Sequence, residues 1–494
     1  MKANILKISF YGVSLVLIVL GFKLYSQITT SPDQQLFDYV AWNILNQGLL
    51  YKDVFEINFP IKPAIHMAAL QIFGDQAWSF RTFDYLMNIG VSIAGYVFLR
   101  YVGFGLGAIV FVPVYLFSYV TSGAWFAGQI DHTGHALLFV SLIAIAAAKR
   151  QEHGVLLAVV AGIFSALAFL LKPTMLAFPT GVFVALIALG FGEAQTRRGL
   201  QLALIFGTGF LAVLVGFAII GALTGQLAGF WQQTVLFNLQ VYGAQESAQS
   251  LTGTFLQILR NMVVIAVFGM AGFAVMGLQG GYRSELLLFA LLLGAILVSY
   301  LYQNKGFGYH LGGLVLVFAF GTSALIDLTG RWGREHTTRR IVGLVASVGL
   351  VLLISAALGR KVLNLDPDPI DLGLTHEDQR EILLIIEQKR RPDSSIVIWG
   401  RQYQIGMLAG LPTAWPFINA PLREEGHRME GWYDLAQAEL DRTCPQFVLA
   451  NTSELYAPSK ADDTTLRTLL IDLVAAYQPA YQAENVTLYE RAPC

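Results

Sequence analysis

The sequence predicts an α-helical, polytopic membrane protein with about eleven transmembrane helices, amphipathic helices in its first outer loop and a small C-terminal α/β domain outside the membrane. Three observations lead there. Hydrophobic residues make up 55% of the 494-residue chain and charged residues 13%, about half the usual share of a soluble domain. Apolar stretches of roughly 18 residues or more recur along most of the length, each able to cross a hydrocarbon core of about 30 Å as a helix. Near residue 360 this texture stops, and charged residues, prolines and short alternating runs replace it.

The N-terminus, MKANILKISFYGVSLVLIVLGFKLYSQITT, has the basic start and apolar centre of a signal peptide. Its apolar run is long for one, and Lys23, Tyr25 and Gln27 leave no small-x-small cleavage site, so an uncleaved first span is expected. Spans follow near 5–25, 82–100, 103–120, 135–148, 154–171, 173–191, 200–224, 261–278, 286–303, 311–328 and 341–359. Segments 1–7, 100–103, 149–153, 193–199, 279–285 and 329–340 together carry 12 Lys/Arg in 42 residues. That density is about fourfold higher than on the opposite side, which places the N-terminus in the cytoplasm. An odd number of spans then puts the tail outside, in an integral protein of a bacterial-type cytoplasmic membrane. The domains are accordingly 1–359, a membrane domain with 27–80 as its first outer loop, and 360–494, an extracytoplasmic domain.

In that tail, 395–400, 447–451 and 486–491 read as strands, whereas 376–390 and 463–476 have helical spacing. Cys444 and Cys494 are read as unpaired, although an oxidising compartment would allow them to join. A net charge of −1 provides no basic field, which excludes nucleic acid as a partner.

The first outer loop is the most structured polar stretch. Ser31 is placed to cap a helix, Pro32 to occupy its first position and Gln34 to complete a capping box. Leu36, Phe37, Val40, Ala41, Ile44 and Leu45 then form an apolar stripe, and Gly48 ends it, so an amphipathic helix lying on the membrane surface is expected. Asp33 in its first turn either complements the helix dipole or does chemistry. The second half places Asp53, Glu56 and Lys62 among aromatics and prolines before an apolar helix resumes at 63–73. A loop of this length is seldom a passive connector.

The order of Asp33, an amphipathic helix, Gly48, Tyr51, Asp53 and a proline-bearing return at Pro60 resembles the GT-C glycosyltransferases. That family comprises membrane enzymes that take sugars from polyprenyl-phosphate carriers, such as protein O-mannosyltransferases and bacterial aminoarabinose or lipopolysaccharide-core transferases. GQIDHTGHALLF, QNKGFGYHLGGLVLVF and IVIWGRQYQIGMLAG extend the resemblance along the chain. It implies a catalytic role for Asp33 and a second acidic site residue at Asp131. It also implies a carrier phosphate held by outer-loop cations, here Lys172 and Lys305, with Tyr309 and His310 beside them. Many family members have Asp-Glu where this chain has Asp33-Gln34.

Asp131, His132 and His135 are expected in the second outer loop, where ionisable residues at a membrane boundary are costly without a purpose. They have the donor chemistry for a divalent metal. The alternative for the histidines is that they cap a helix end or bond neighbouring polar groups. The resulting expectation is an inverting sugar transfer from a polyprenyl-phosphate donor to a hydroxyl on a glycan, lipid or protein. Asp33 acts as base, Asp131 orients the acceptor or supports a metal, and Asp53, Glu56, Lys62, Lys172, Lys305, Tyr309 and His310 contact substrate. The rival class, a transporter or flippase of lipid-linked sugar, would want ionisable residues at mid-span, and these spans hold almost none.

Overall fold

A computed structural model describes residues 12, 15–16, 18–26, 30–123, 125–151, 154–189, 196–241, 250–332, 374–419, 429–456 and 466–492. It divides into two compact units, one of 1–28, 81–216 and 246–367, the other of 29–80, 217–245 and 368–494. The expected linear cut at 359/360 therefore differs from the grouping by contact, which joins most of the first outer loop to the tail.

The first unit is helical. Its elements include most of Ser79–Tyr101 and of Thr196–Thr224, with Gly105–Val120, Ile130–Arg150, Val155–Leu171, Ala177–Leu189, Leu251–Asn261, Val263–Gln279, Arg283–Gln303 and Leu314–Trp332. Among the described residues, five helices are long and apolar enough to cross a membrane, or six if the bent pair Leu251–Asn261 and Val263–Gln279 counts as one span. Gly105–Val120, Val155–Leu171 and Pro173–Ala188 are shorter and apolar. The expected last span, 341–359, lies outside the described residues, as does about half of the first, 5–25.

Side chains such as Phe111, Phe139, Phe289 and Phe320 interlock at the centre of this unit. Without a hydrophobic drive between helices in lipid, close approach depends on small residues. Gly272 meets Gly321 across the Val263–Gln279 and Leu314–Trp332 pair so closely that a methyl built on Gly272 would overlap the Gly321 carbonyl oxygen.

The second unit is built on a four-stranded sheet of β1 (Ile396–Trp399), β2 (Phe447–Asn451), β3 (Gln478–Gln482) and β4 (Val486–Glu490) in the order β1-β2-β4-β3. β1 and β2 are parallel, and the other pairs antiparallel. Alternate residues cover both faces. Ile396, Ile398, Phe447, Leu449 and Leu488 pack with Leu36, Tyr39, Val40, Ile382 and Ile386, whereas Val397, Trp399, Val448 and Ala450 pack with Phe237, Trp432, Leu440 and Leu470.

The Pro32–Gln47 helix has the Ser31 cap, the Gln34 capping box and Pro at its start. Its environment differs from expectation. Most of its residues from Pro32 to Asn43 are buried, and it forms one layer of the second unit's core. An apolar stripe at helical spacing has the same pattern whether lipid or protein covers it. Tyr39 donates to the Leu411 carbonyl at 3.0 Å, and Asn43 Oδ1 accepts from Thr413 N at 3.0 Å, which fixes the helix against the tail. Segment 217–245 joins through a π-helical turn, Trp231–Leu236, whose Gln233 and Thr234 bond the backbone of Tyr51 and Glu56.

Cys444 is disulfide-bonded, contrary to the unpaired reading. Cys494 lies outside the described residues.

Candidate functional site

In the first unit, Asp131 stands in the first turn of the Ile130–Arg150 helix and not in a loop. The polar run 129–135 depresses hydropathy, so the span appears from sequence to begin at 135, yet the helix extends back through it because each polar group there has a buried environment. Asp131 is 1% exposed at its side chain. Its carboxylate accepts from Lys172 Nζ at 3.0 and 2.8 Å and from Gln303 Nε2 at 3.2 Å, and His310 Nε2 lies 3.9 Å away.

Each partner sits at a helix end. Lys172 precedes Pro173, which forces an extended backbone, φ −158° and ψ 123°, and ends the Val155–Leu171 helix. Gln303 closes the Arg283–Gln303 helix, terminated by Asn304 in the left-handed region at φ 47°. Lys305, Tyr309 and His310 follow, the last two on the short 3₁₀ turn Gly308–Leu311. Partial burial lowers the Lys305 pKa from its ordinary value. A carboxylate at a helix N-terminus and an ammonium at a helix C-terminus each match the local dipole. Lys172 keeps 21% of its side chain exposed while its ammonium is held by Asp131.

The metal set does not assemble. Successive helical residues point about 100° apart, so Asp131 and His132 face different partners. His132 Nδ1 lies 3.2 Å from the Gly312 carbonyl, and its Nε2 lies 3.0 Å from the Tyr115 hydroxyl and 3.1 Å from Asn88 Oδ1. His135 is buried with neither ring nitrogen in a hydrogen bond. Among the described residues no group of three or more His, Cys, Asp or Glu could hold a metal ion. His132 thus bonds neighbouring polar groups, the second of the two sequence readings.

Behind it lies a network that sequence reasoning missed. Asp84 accepts from the Tyr25 and Tyr119 hydroxyls at 2.5 Å each, and Arg81 donates to Tyr25 at 2.9 Å. The signal available was an Arg and an Asp three positions apart inside an apolar helix, where ionisable groups are rare.

The remaining predicted residues belong to the second unit. Asp33 is partly exposed in the first turn of its helix. Asp53 is exposed and accepts from Leu49 N at 2.7 Å, which closes a turn. Glu56 is fully buried. Its Oε1 accepts from Asn58 N at 2.9 Å, Asn58 Nδ2 at 2.6 Å and Asn419 Nδ2 at 3.0 Å, while Oε2 has no hydrogen-bond partner. Burial raises its pKa. Asp53 thus closes its turn from an exposed position, and Glu56 ties its loop to Asn419 from a buried one. Lys62 is buried with its ammonium 4.5 Å from the Phe80 ring centroid and 5.5 Å from that of Phe37. His66, one turn on, stacks on Phe80 and lies 2.7 Å from Asp38.

Membrane-length helices with a charged, hydrogen-bonded cluster at their ends, together with a sheet domain, define a class of polytopic membrane protein. No family model matches the sequence, and no curated protein matches it. Solved structures do match. ArnT from Cupriavidus metallidurans bound to undecaprenyl phosphate aligns with a TM-score of 0.65 at 13% identity, covering 100% of both chains. The apo state of that protein gives 0.64 and 14%, again over 100% of both. The apo oligosaccharyltransferase of Archaeoglobus fulgidus gives 0.53 and 12%, covering 90% of this chain and 70% of that one. The chain therefore has the GT-C fold, as the sequence resemblance implied.

Proposed function

We propose that the chain is a membrane glycosyltransferase that moves a sugar from a polyprenyl-phosphate donor to a hydroxyl of a glycan, lipid or protein at the outer face of the cytoplasmic membrane, with inversion. The acceptor oxygen attacks the anomeric carbon, the bond from that carbon to the phosphate oxygen breaks, and the phosphate leaves with the bonding electrons. Asp33 takes the acceptor proton. Lys172 and Lys305 stabilise the departing phosphate, whose negative charge grows as the bond breaks.

The observation that carries this reading is Lys172, its ammonium anchored by the buried Asp131 at a span end and its side chain one-fifth exposed. An ammonium has three donors, so its contacts to the two Asp131 oxygens still leave at least one for a phosphate oxygen. Partial burial strengthens that contact relative to water. Asp131 is here a positioning residue for Lys172 and not an acceptor ligand. The shared fold with a protein crystallised with undecaprenyl phosphate supports the donor class. The disulfide at Cys444 supports an extracytoplasmic tail, since such bonds persist in oxidising compartments.

The test is incubation of the purified full chain in lipid with a panel of prenyl-phosphate sugars and acceptors, measuring release of the carrier phosphate. Release with at least one donor is expected, and its abolition in Asp33→Ala without loss of folding. Near-normal turnover by that variant removes Asp33 from its role, and no release with any donor overturns the class.

A further inference from the structure

The Leu251–Asn261 helix has a different environment on each of three sides. It begins at Ser250, whose Oγ accepts from Gly253 N, and after Met262 the chain turns by 84° into the apolar Val263–Gln279 helix. A helix at that angle to a membrane span runs along the membrane plane. At about 100° per residue, Leu251 and Ile258 share one side, Phe255, Leu256 and Leu259 the next, and Gln257, Arg260 and Asn261 the third.

Burial follows the same division. Ile258 is buried and the Tyr300 hydroxyl donates to the Leu251 carbonyl at 2.7 Å, so the first side rests on protein. Leu256 is 58% exposed, with Phe255 and Leu259 half-buried beside it. Gln257, Arg260 and Asn261 are exposed. The apolar middle side is continuous, one residue beyond the bend, with the lipid-facing surface of the next helix, where Val263 and Val267 are each more than half exposed. Acyl chains already cover that surface in a membrane protein, and an arginine beside it can extend to the headgroups. The protein-facing side rests on the turn that carries Tyr309 and His310. Ile258 packs so tightly over Gly308 that a methyl there would come within 2.9 Å of Ile258 Cδ1.

We propose that the Leu251–Asn261 helix lies in the membrane interface with Phe255, Leu256 and Leu259 set into the acyl layer, and that the lipid beneath it braces the Gly308–Leu311 turn. Lipid is thus a structural partner of that turn. The bracing gains functional meaning only if the transfer proposed above is correct; the embedding stands without it.

The experiment places a nitroxide at Leu256→Cys or at Asn261→Cys in the full chain in phosphatidylcholine vesicles, with the unsubstituted chain as labelling control. Collision with oxygen, which concentrates in lipid, should exceed collision with a water-soluble nickel chelate at 256, and the order should reverse at 261. Equal access of the chelate to both sites overturns the embedding. A label at 256 shielded from both colliders means that protein covers the face, a second copy included, and overturns it too. For the bracing, a label at Tyr309→Cys should become more mobile when Leu256→Gln and Leu259→Gln are introduced together; unchanged mobility overturns that part. None of these readouts depends on turnover, so their failure is separable from failure of the transferase reading.

Discussion

Removing either member of the Asp131–Lys172 pair should have unequal consequences, and the structure gives the reason. In Lys172→Met, the Asp131 carboxylate stays 1% exposed and keeps only the 3.2 Å bond from Gln303, with His310 at 3.9 Å. A buried carboxylate stripped of its cation costs about 3–5 kcal/mol. In Asp131→Asn, Lys172 already has a fifth of its side chain exposed and a four-carbon stem that can turn outward, so the loss is about 1 kcal/mol. Adding Lys172→Met to Asp131→Asn should then cost little, which gives a coupling of about 3–5 kcal/mol in the double-mutant cycle. Reversible unfolding of the four proteins in mixed micelles measures all the terms. If Lys172→Met is no worse than Asp131→Asn, or if the two losses simply add, Asp131 does not depend on Lys172 for its burial. The account of that lysine as an anchored cation then fails.

Burial raises the Glu56 pKa above the ordinary 4.5, so the folded chain holds this proton more tightly than the unfolded chain. That contribution is complete below 4.5 and is lost as pH climbs through the raised value. Unfolding of Glu56→Gln followed against pH should therefore lack a decline that the parent shows; identical profiles would count against it. Gly272→Ala, at the contact with Gly321, should lower stability by about 1–3 kcal/mol, whereas Gly294→Ala, where a methyl meets nothing within 4 Å, should be neutral or slightly stabilising. Thermal melts of the two variants side by side decide this, and equal losses would refute the close approach.

Local signals were legible in the sequence and distant ones were not. Ser31, Pro32 and Gln34 fix a helix start through contacts three residues apart, and the structure has that start and that capping box. One side of the helix is covered by the nearby 61–73 helix and another by residues more than 300 positions later, which no stripe of apolar residues encodes. The grouping of the first outer loop with the tail was hidden for the same reason. Asp131 and Lys172 were selected one at a time for chemistry, and their pairing across 41 positions came only with the fold. β3 was missed because Pro479 reads against a strand; it is an edge strand, where proline is tolerated.

The layered second unit also sets a schedule for biogenesis. Tyr39 and the Leu411 carbonyl that receives its hydroxyl are 372 positions apart. At about 5–20 residues per second, ribosomes need roughly 20–75 s to span that interval. During it, the side of this early helix that the tail covers stays without its permanent cover. Truncated messages or isolated tail fragments would leave that deficit permanent, so quality control should recognise the unfinished layer, and recombinant work on the sheet will require its N-terminal piece supplied in the same molecule or added in trans.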